Sequence, residues 1–250
     1  MLKLIADAHT HTVACDHAYS TIGENTLAAK AIGLEFIAMT EHSLSMPGGP
    51  DWLHFACLNL IPRVLNDVIV IRGAEVTILS PEGKLDMTDS IMENDLEWVI
   101  ASMHMTDMRP STTANHTKAW LAVAENPLVD CIGHCGDPRY AFDYEQVIPV
   151  FAKHKKIVEI NSHSFRARPG SDVTCREIAL LCIEHGVPIM VNSDAHHSSM
   201  IGQFAPAIAM LESINFPREL IINADSDRFL AVMDEKAGGR IVRDLNALKG

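Results

Sequence analysis

Short runs of apolar residues recur along the chain, and six of them end at a histidine or a carboxylate. A continuous apolar run between turn-forming residues is typical of a strand buried on both faces. The runs, each with the side chains that follow it, are residues 4–6 with Asp7, His9 and His11, 36–39 with Glu41 and His42, 68–71 with Glu75, 98–102 with His104, 131–133 with His134, and 189–192 with Asp194 and His196. This repetition predicts that neighbouring strand ends meet at one face and form a single site.

Helix-like segments alternate with these runs. Apolar residues at helical spacing predict helices at about 22–32, 174–186, 206–214 and 227–235. Strands alternating with helices predict a parallel sheet covered by helices, because crossover connections are right-handed. We expect seven strands, the seventh at 156–161, with a doubtful eighth at 219–223. No internal repeat or shift in composition divides the chain, so residues 1–250 are expected to form one α/β domain with a loose tail from about residue 238.

Composition limits the classes of function. The chain has 250 residues, of which 48% are hydrophobic and 21% charged, and its formal net charge is −12. Such a charge makes long nucleic acids unexpected partners, since binding them needs a basic surface, unless bound divalent cations supply it. The six cysteines form no C-x-x-C motif and are expected to be reduced thiols, as in a cytoplasmic protein. No apolar stretch is long enough to predict a membrane span or a signal peptide.

The histidines and carboxylates at the strand ends are residue types that bind metal ions. His9 and His11 are two residues apart, so on a strand both imidazoles would lie on one face. His17 follows in the next loop and could turn back over the same site. Imidazole-rich ligation suits zinc best, although bridging carboxylates leave manganese and iron open. The predicted ligands are His9, His11, His17, His42, Glu75, His104, His134, Asp194 and His196.

These motifs resemble those of the PHP (polymerase and histidinol phosphatase) family over nearly the whole chain. The resemblance is closest to the stand-alone bacterial phosphatases of that family, which hold a trinuclear zinc cluster in a distorted, TIM-like (β/α)7 barrel. Residues 18–21 after His17 and the pair Phe216-Pro217 strengthen the match to that branch. Many members have aspartate where this chain has Glu41. Position 41 would lie behind the ligands, so the extra methylene would affect their fine positioning rather than metal binding.

The resemblance implies three divalent ions and a role for each ligand. His9, His11, Glu75 and Asp194 would hold one ion, Glu75, His104 and His134 a second with Glu75 as the bridge, and His17, His42 and His196 the third. It also implies a metal-dependent phosphatase in which a hydroxide bridging two ions attacks a phosphomonoester, so that Glu75 and Asp194 take part in catalysis. The expected partner is a small phosphorylated substrate.

Several other polar residues are candidates for supporting roles. Arg166 and Arg168 follow the strand at 156–161, and a guanidinium can clamp a phosphoryl group with two parallel hydrogen bonds. We expect Arg168 to be the stronger candidate and Arg139 a weaker one, while both members of the 166/168 pair could equally be solvated loop residues. Asp7 is expected to orient a ligand imidazole. The remaining histidines are expected at the pocket mouth (His54), behind the ligands or on the surface (His163, His197) and on the surface (His116, His154, His185).

Other functions stay open from the sequence. A nuclease or phosphodiesterase of the same family could act on short nucleic acids. An amidohydrolase also opens with an H-x-H motif, but those enzymes commonly have a bridging lysine or carboxylate late in the sheet, and no lysine ends a ligand-bearing strand here. A catalytically silent metal-binding barrel is the non-enzymatic alternative, and the complete ligand set counts against it. Homo-oligomerisation is also open.

Overall fold

Seven parallel strands, each hydrogen-bonded to the next, form the sheet of the computed structural model, which describes residues 2–249. The strands of the chain are β1 (Ala6–Thr10), β2 (Phe36–His42), β3 (Val64–Leu65), β4 (Val68–Thr77), β5 (Trp98–Ser102), β6 (Cys131–Ile132), β7 (Ile157–Asn161) and β8 (Ile189–Asn192). The short β3 pairs with β4 in the antiparallel direction and lies outside the parallel series. The predicted α/β architecture of seven parallel strands is confirmed.

The sheet curls until its first and last strands meet. Near the ligand-bearing end, the backbone N–H of His11 donates to the carbonyl of Ala195 at 2.8 Å. Near the other end, the side-chain amide of Asn223 donates to the carbonyls of Ala6 (3.0 Å) and Val191 (2.6 Å) and so joins β1 to β8. The doubtful strand at 219–223 is not formed, although Ile221 makes a single parallel bridge to Ile189 of β8. Its residues form two short 3-10 turns that place Asn223 in the seam of the barrel.

In the described part of the chain, ten α-helices surround or close this barrel. They are α1 (Ile22–Ala31), α2 (Trp52–Ala56), α3 (Asp89–Asn94), α4 (Thr113–Glu125), α5 (Tyr144–Lys153), α6 (Ser164–Ala167), α7 (Ser171–His185), α8 (Ala205–Ser213), α9 (Ser226–Lys236) and α10 (Arg240–Ala247). Helix α1 begins with a capping box, since Thr21 and Glu24 satisfy each other's backbone N–H groups. Within residues 2–249, no helix is both long and apolar enough to cross a membrane.

The last two helices close the barrel at the amino ends of its strands. The ring of Phe229 on α9 packs against Phe36 at the start of β2, with the centroids 5.0 Å apart. The segment after Gly238 differs from the loose tail expected from the sequence. It forms α10, whose Ile241 is fully buried in the barrel core. Gly238 and Gly239 both have positive φ angles, so they form a tight turn that brings α10 back onto the barrel.

Candidate metal centre

The nine predicted ligands lie together at the carboxyl ends of the parallel strands. His9 lies in β1, His42 ends β2, and Glu75 lies inside β4, which extends beyond the predicted run. The other ligands lie in the loops that follow β1, β5, β6 and β8 (His11, His17, His104, His134, Asp194 and His196). The ring centroid of His17, which comes from the loop after β1, lies 4.9 Å from that of His42 and 5.0 Å from that of His196. Parallel strands thus bring distant parts of the chain to one face.

Glu75 lies at the centre of this cluster and faces two sets of imidazoles. Its Oε1 is 2.8 Å from Nε2 of His134 and 3.2 Å from Nε2 of His104. Its Oε2 is 3.3 Å from Nε2 of His9 and 2.8 Å from Nδ1 of His42. A carboxylate whose two oxygens face different nitrogen ligands has the geometry needed to bridge two cations.

Asp194 forms the second acidic side of the cluster. Its Oδ1 is 3.3 Å from Nε2 of His11 and 3.5 Å from Nδ1 of His196, and its Oδ2 accepts a hydrogen bond from the Asn161 amide at 3.1 Å. The backbone of Asp194 has a φ of 52°, which is uncommon outside glycine. Such backbone strain is typically found where a side chain must be aimed at a functional site.

Many buried polar atoms in this cluster have no hydrogen-bond partner among the described residues. Leaving such atoms unpaired costs free energy, so natural proteins rarely tolerate several in one place. Bound cations would account for at least one atom of every residue in this set, because each neutral imidazole has one lone pair to donate and the carboxylate oxygen of Glu75 has its own. The residues therefore fit divalent metal ions, and the imidazole-rich donor set suits zinc. The unpaired atoms are Nε2 of His9, both ring nitrogens of His11, Nδ1 of His42, Oε2 of Glu75 and Nε2 of His104.

The protonation states of the cluster also suit a cation. Burial would raise the pKa of Glu75, but the nearby imidazoles of His9 and His104 hold it well below its ordinary value. Burial lowers the pKa of His11 well below its ordinary range, and the neighbouring His42 lowers it further. Glu75 and His11 are thus in the forms that bind metal. Burial would lower the pKa of His9, but the carboxylates of Glu159 and Glu75 hold it well above its ordinary value, so His9 would release a proton on binding metal.

A layer of residues behind the ligands holds several of them in place. Its main member, Glu159, was not predicted from the sequence. The buried carboxylate of Glu159 accepts a hydrogen bond from Nδ1 of His9 at 2.7 Å and another from the backbone N–H of His134 at 2.7 Å. The hydroxyl of Thr77 contacts Nδ1 of His104 at 3.0 Å. The available signal was an acidic residue in the middle of the apolar run that forms β7, where an unpaired charge is unexpected.

Of Glu41 and Asp7, two acidic residues near the cluster, only Asp7 has a role other than the one expected. Glu41 contacts the loop that carries His17, since its carboxylate accepts from the hydroxyl (2.6 Å) and the backbone N–H (3.0 Å) of Thr12. Asp7 was expected to orient an imidazole, but that prediction was wrong. Its carboxylate accepts from the backbone N–H of Ser193 at 3.1 Å and of Gly202 at 3.0 Å. An irregularity in β1 after Asp7 interrupts the strand alternation, which explains why Asp7 and His9 have different environments.

The three candidate arginines differ in whether they line the cavity at the metal-binding face. Arg168 lies in the wall of a cavity of about 270 Å³ at the metal-binding face, whereas Arg166 lies outside this cavity. A guanidinium nitrogen of Arg168 is 3.6 Å from Oδ2 of Asp194. Arg139, the weaker candidate, lines the same cavity, and Nε of both Arg139 (3.0 Å) and Arg168 (3.6 Å) approaches the buried carboxylate of Asp137.

The observed positions of three other histidines agree only in part with those predicted from the sequence. His163 lies in the wall of the cavity, while His54 does not line it. His116 was expected on the surface, but its side chain is buried. Its Nδ1 donates to the carbonyl of Ala141 at 2.9 Å and its Nε2 accepts from the backbone N–H of Ser111 at 2.9 Å. A buried histidine whose two nitrogens are both paired is a structural residue, and this one joins α4 to the backbone at Ser111 and Ala141.

Comparison with curated proteins finds close relatives along the whole chain. The chain is 41% identical over 245 residues to a protein of Photobacterium profundum named as a probable phosphatase, covering 98% of this chain and 99% of that protein. It is 39% identical over 228 residues to a probable phosphatase of Acetivibrio thermocellus, covering 91% of this chain and 94% of that protein. No protein-family model matches the chain.

Comparison with solved structures finds the same fold at low sequence identity. Histidinol phosphate phosphatase from Lactococcus lactis, solved with zinc, L-histidinol and phosphate, superimposes with a TM-score of 0.62 at 16% identity, covering 85% of this chain and 94% of that one. A protein from Listeria monocytogenes described as a putative histidinol phosphatase gives a TM-score of 0.57 at 16% identity, covering 79% of this chain and 97% of that one. At these identities the likeness shows a shared TIM-like barrel fold.

Proposed function

We propose that this chain, which belongs to the family of bacterial proteins named probable phosphatases, is a metal-dependent phosphatase that hydrolyses phosphomonoesters at a trinuclear centre. The family membership rests on the 41% identity that extends over nearly the full length of both proteins. We also assign the chain to the PHP family and to its stand-alone bacterial branch. The motif set supports this assignment, together with the fold shared with histidinol phosphatases.

The observation that carries the proposal is the position of Glu75 between two groups of imidazoles. Its oxygens face His104 and His134 on one side and His9 and His42 on the other. We assign three ions, zinc being the best fit and manganese or iron the alternatives. The proposed ligands are His9, His11, Glu75 and Asp194 for the first ion, Glu75, His104 and His134 for the second, and His17, His42 and His196 for the third.

The chain's own residues prepare this face for a phosphoryl group. When bound, the ions would supply Lewis acidity and would activate water for attack on phosphorus. Arg168 and Arg139 lie in the wall of the same cavity, where their guanidinium groups can donate hydrogen bonds to phosphoryl oxygens. Because Asp137 holds both guanidinium groups, they are positioned before substrate arrives. In-line attack by water requires no covalent intermediate on the protein.

The size of the site favours a small substrate. A cavity of about 270 Å³ accommodates a phosphoryl group and a compact leaving group.

All six cysteines are free, which is typical of a reducing compartment, and we therefore place the protein in the cytoplasm.

The proposed function is tested with generic esters and defined metals. Protein purified without chelator should contain about three divalent ions per chain, and p-nitrophenyl phosphate should be hydrolysed. Chelation should abolish turnover, and Zn²⁺ or Mn²⁺ should restore it. Bis-p-nitrophenyl phosphate should react more slowly, because its second ester removes one anionic oxygen that the ions would bind. Preference for the diester would favour the nuclease, and absence of turnover with every metal would favour the silent barrel. A saturating content of one ion would contradict the trinuclear centre.

A further inference from the structure

A second cavity, of about 340 Å³, lies beside the cavity of the metal-binding face. Its lining is about half polar and half apolar, and its one side chain of fixed charge is the guanidinium of Arg166. No carboxylate lines it among the described residues. In a chain with a formal net charge of −12, a cavity of this composition is unusual. The lining residues are Ser162, His163, Arg166, Ser193, His197, Ser199, Met200, Gln203 and Pro206.

The two cavities share their walls. His163 lines both of them. After β8, Asp194 lines the metal-binding cavity while its neighbour Ser193 lines the second cavity. Near α6, Arg168 lines the metal-binding cavity and Arg166 lines the second cavity. A substrate whose phosphoryl group occupies the metal-binding cavity therefore has the second cavity as an adjacent space for the rest of the molecule.

The second cavity also contains a buried donor without a partner. Ser162 is only 4% exposed, and its hydroxyl has no hydrogen-bond partner among the described residues. Its backbone N–H donates to the carbonyl of Asn192 at 2.8 Å, which fixes the residue between β7 and β8. A buried unpaired hydroxyl is costly, so a ligand that accepts a hydrogen bond from it would relieve that cost.

We propose that the second cavity binds the leaving group of the substrate and selects a leaving group with an anionic group of its own, either a carboxylate or a second phosphate. Arg166 would pair with that group, and Ser162 would donate a hydrogen bond to it. The absence of a lining carboxylate removes the repulsion that such a group would otherwise meet. This inference rests on the proposed phosphatase function, because it assumes that the phosphoryl group of the substrate is bound in the adjacent metal-binding cavity.

Two matched substrate pairs test the inference. The first compares 3-phosphoglycerate with glycerol 3-phosphate, and the second compares initial phosphate release from fructose 1,6-bisphosphate and fructose 6-phosphate. In at least one pair kcat/KM should favour the more anionic member by about threefold to fivefold, the size of an ion pair with an exposed arginine such as Arg166. The pair that shows the preference distinguishes a carboxylate from a second phosphate.

Variants then assign the preference to residues of the second cavity. Arg166→Gln should bring the kcat/KM ratio of that pair close to one, Arg166→Lys should retain part of it, and Ser162→Ala should lower it. The ratio cancels losses common to both substrates, including those from altered folding. Arg243→Gln, which removes an exposed arginine of α10 at the opposite end of the barrel, should leave the ratio unchanged.

The outcomes separate this inference from the function on which it rests. If p-nitrophenyl phosphate is hydrolysed but neither pair shows a preference, the inference is overturned and the phosphatase function stands. If Arg166→Gln keeps the wild-type ratio, the assignment to the second cavity is overturned. If none of the esters is hydrolysed with any metal, the proposed function fails and the inference fails with it.

Discussion

Glu159 accepts a 2.7 Å hydrogen bond from Nδ1 of His9, and both side chains are fully buried. Because this bond occupies Nδ1, the other ring nitrogen of His9 is left to face Glu75 at 3.3 Å. A carboxylate behind a ligating imidazole fixes its tautomer and orientation. The same carboxylate also accepts from the backbone N–H of His134, so it couples ligands from β1 and from the loop after β6.

The first prediction concerns this carboxylate. Glu159→Gln should weaken metal binding by about 10- to 100-fold, the usual effect of removing a partner that orients a ligand. The amide cannot accept at both ends, so either His9 or His134 loses its acceptor. Competition with a chromophoric chelator measures the affinity. Glu184→Gln, on an exposed position of α7, is the matched control and should bind metal like the wild type.

The second prediction concerns Glu75, the proposed bridge between two ions. Glu75→Gln should reduce phosphatase turnover by about 10³ or more, since it weakens the two-metal arrangement that activates water. Elemental analysis of the same preparation should show fewer ions per chain than the wild type. Near-normal turnover together with unchanged metal content would mean that the cluster assignment is wrong.

The sequence predicted the metal-binding face well because its signal repeats. Six of the seven parallel strands carry predicted ligands to the same edge, so a pattern of apolar runs followed by histidines or carboxylates is enough to bring His9 and His196 together. The length of β4 was less visible, since Glu75 lies within the strand rather than after it. Strand ends depend on pairing with neighbours, which a single run does not reveal.

The supporting residues could not be predicted because their roles depend on tertiary contacts. Glu159 is an acidic residue in an apolar run, and only the neighbouring strands show that His9 is its partner. Asp7 precedes the H-x-H motif, yet the irregularity in β1 directs it to Ser193 instead. The segment after Gly238 was expected to be a loose tail, but Ile241 of α10 is fully buried against residues of other strands and helices.

The third prediction concerns Asp137, which the sequence analysis did not identify as a functional residue. Its buried carboxylate accepts from the backbone N–H (3.0 Å) and Nε (3.0 Å) of Arg139 and lies 3.6 Å from Nε of Arg168. We expect Asp137→Asn to raise KM for p-nitrophenyl phosphate by about tenfold with a smaller change in kcat, because it loosens groups that bind ground and transition states alike.

A double-mutant cycle checks whether Asp137 acts through Arg168. Arg168→Ala should also raise KM mainly. If the aspartate positions this guanidinium, the effects of Asp137→Asn and Arg168→Ala should be less than additive in the double variant. Fully additive effects would contradict the positioning role.

The last prediction concerns stability and Lys156, at the end of the barrel opposite the metal centre. Its side chain is 2% exposed, and its Nζ donates to the carbonyls of Asn126 and Val129, each at 2.6 Å. Burial, together with the nearby Lys236, lowers the pKa of Lys156 from 10.5 to about 8. The folded protein therefore releases this proton at a lower pH than the unfolded chain does.

The sign of the pH effect follows from the two pKa values. Below pH 8 the lysine is charged in both states, and the full cost of burying the charge, about 3 kcal/mol, opposes folding. Between pH 8 and 10.5 the folded state loses its proton first, so this cost is relieved. The free energy of unfolding of the wild type should thus rise with pH across this window relative to Lys156→Met. The carbonyls that lose their donor in the variant add a cost that does not depend on pH.

Urea denaturation with EDTA present, at about pH 7.5 and about pH 10, measures this difference without the contribution of metal binding. Lys153→Met, which removes an exposed lysine of α5, controls for the general effect of losing one positive charge. Other groups also titrate in this range, but they are common to all three proteins and cancel in the comparison. A difference between wild type and Lys156→Met that stays constant with pH would show that Lys156 remains charged in the folded state. The two carbonyl contacts would then stabilise the buried ammonium group enough to offset its loss of hydration.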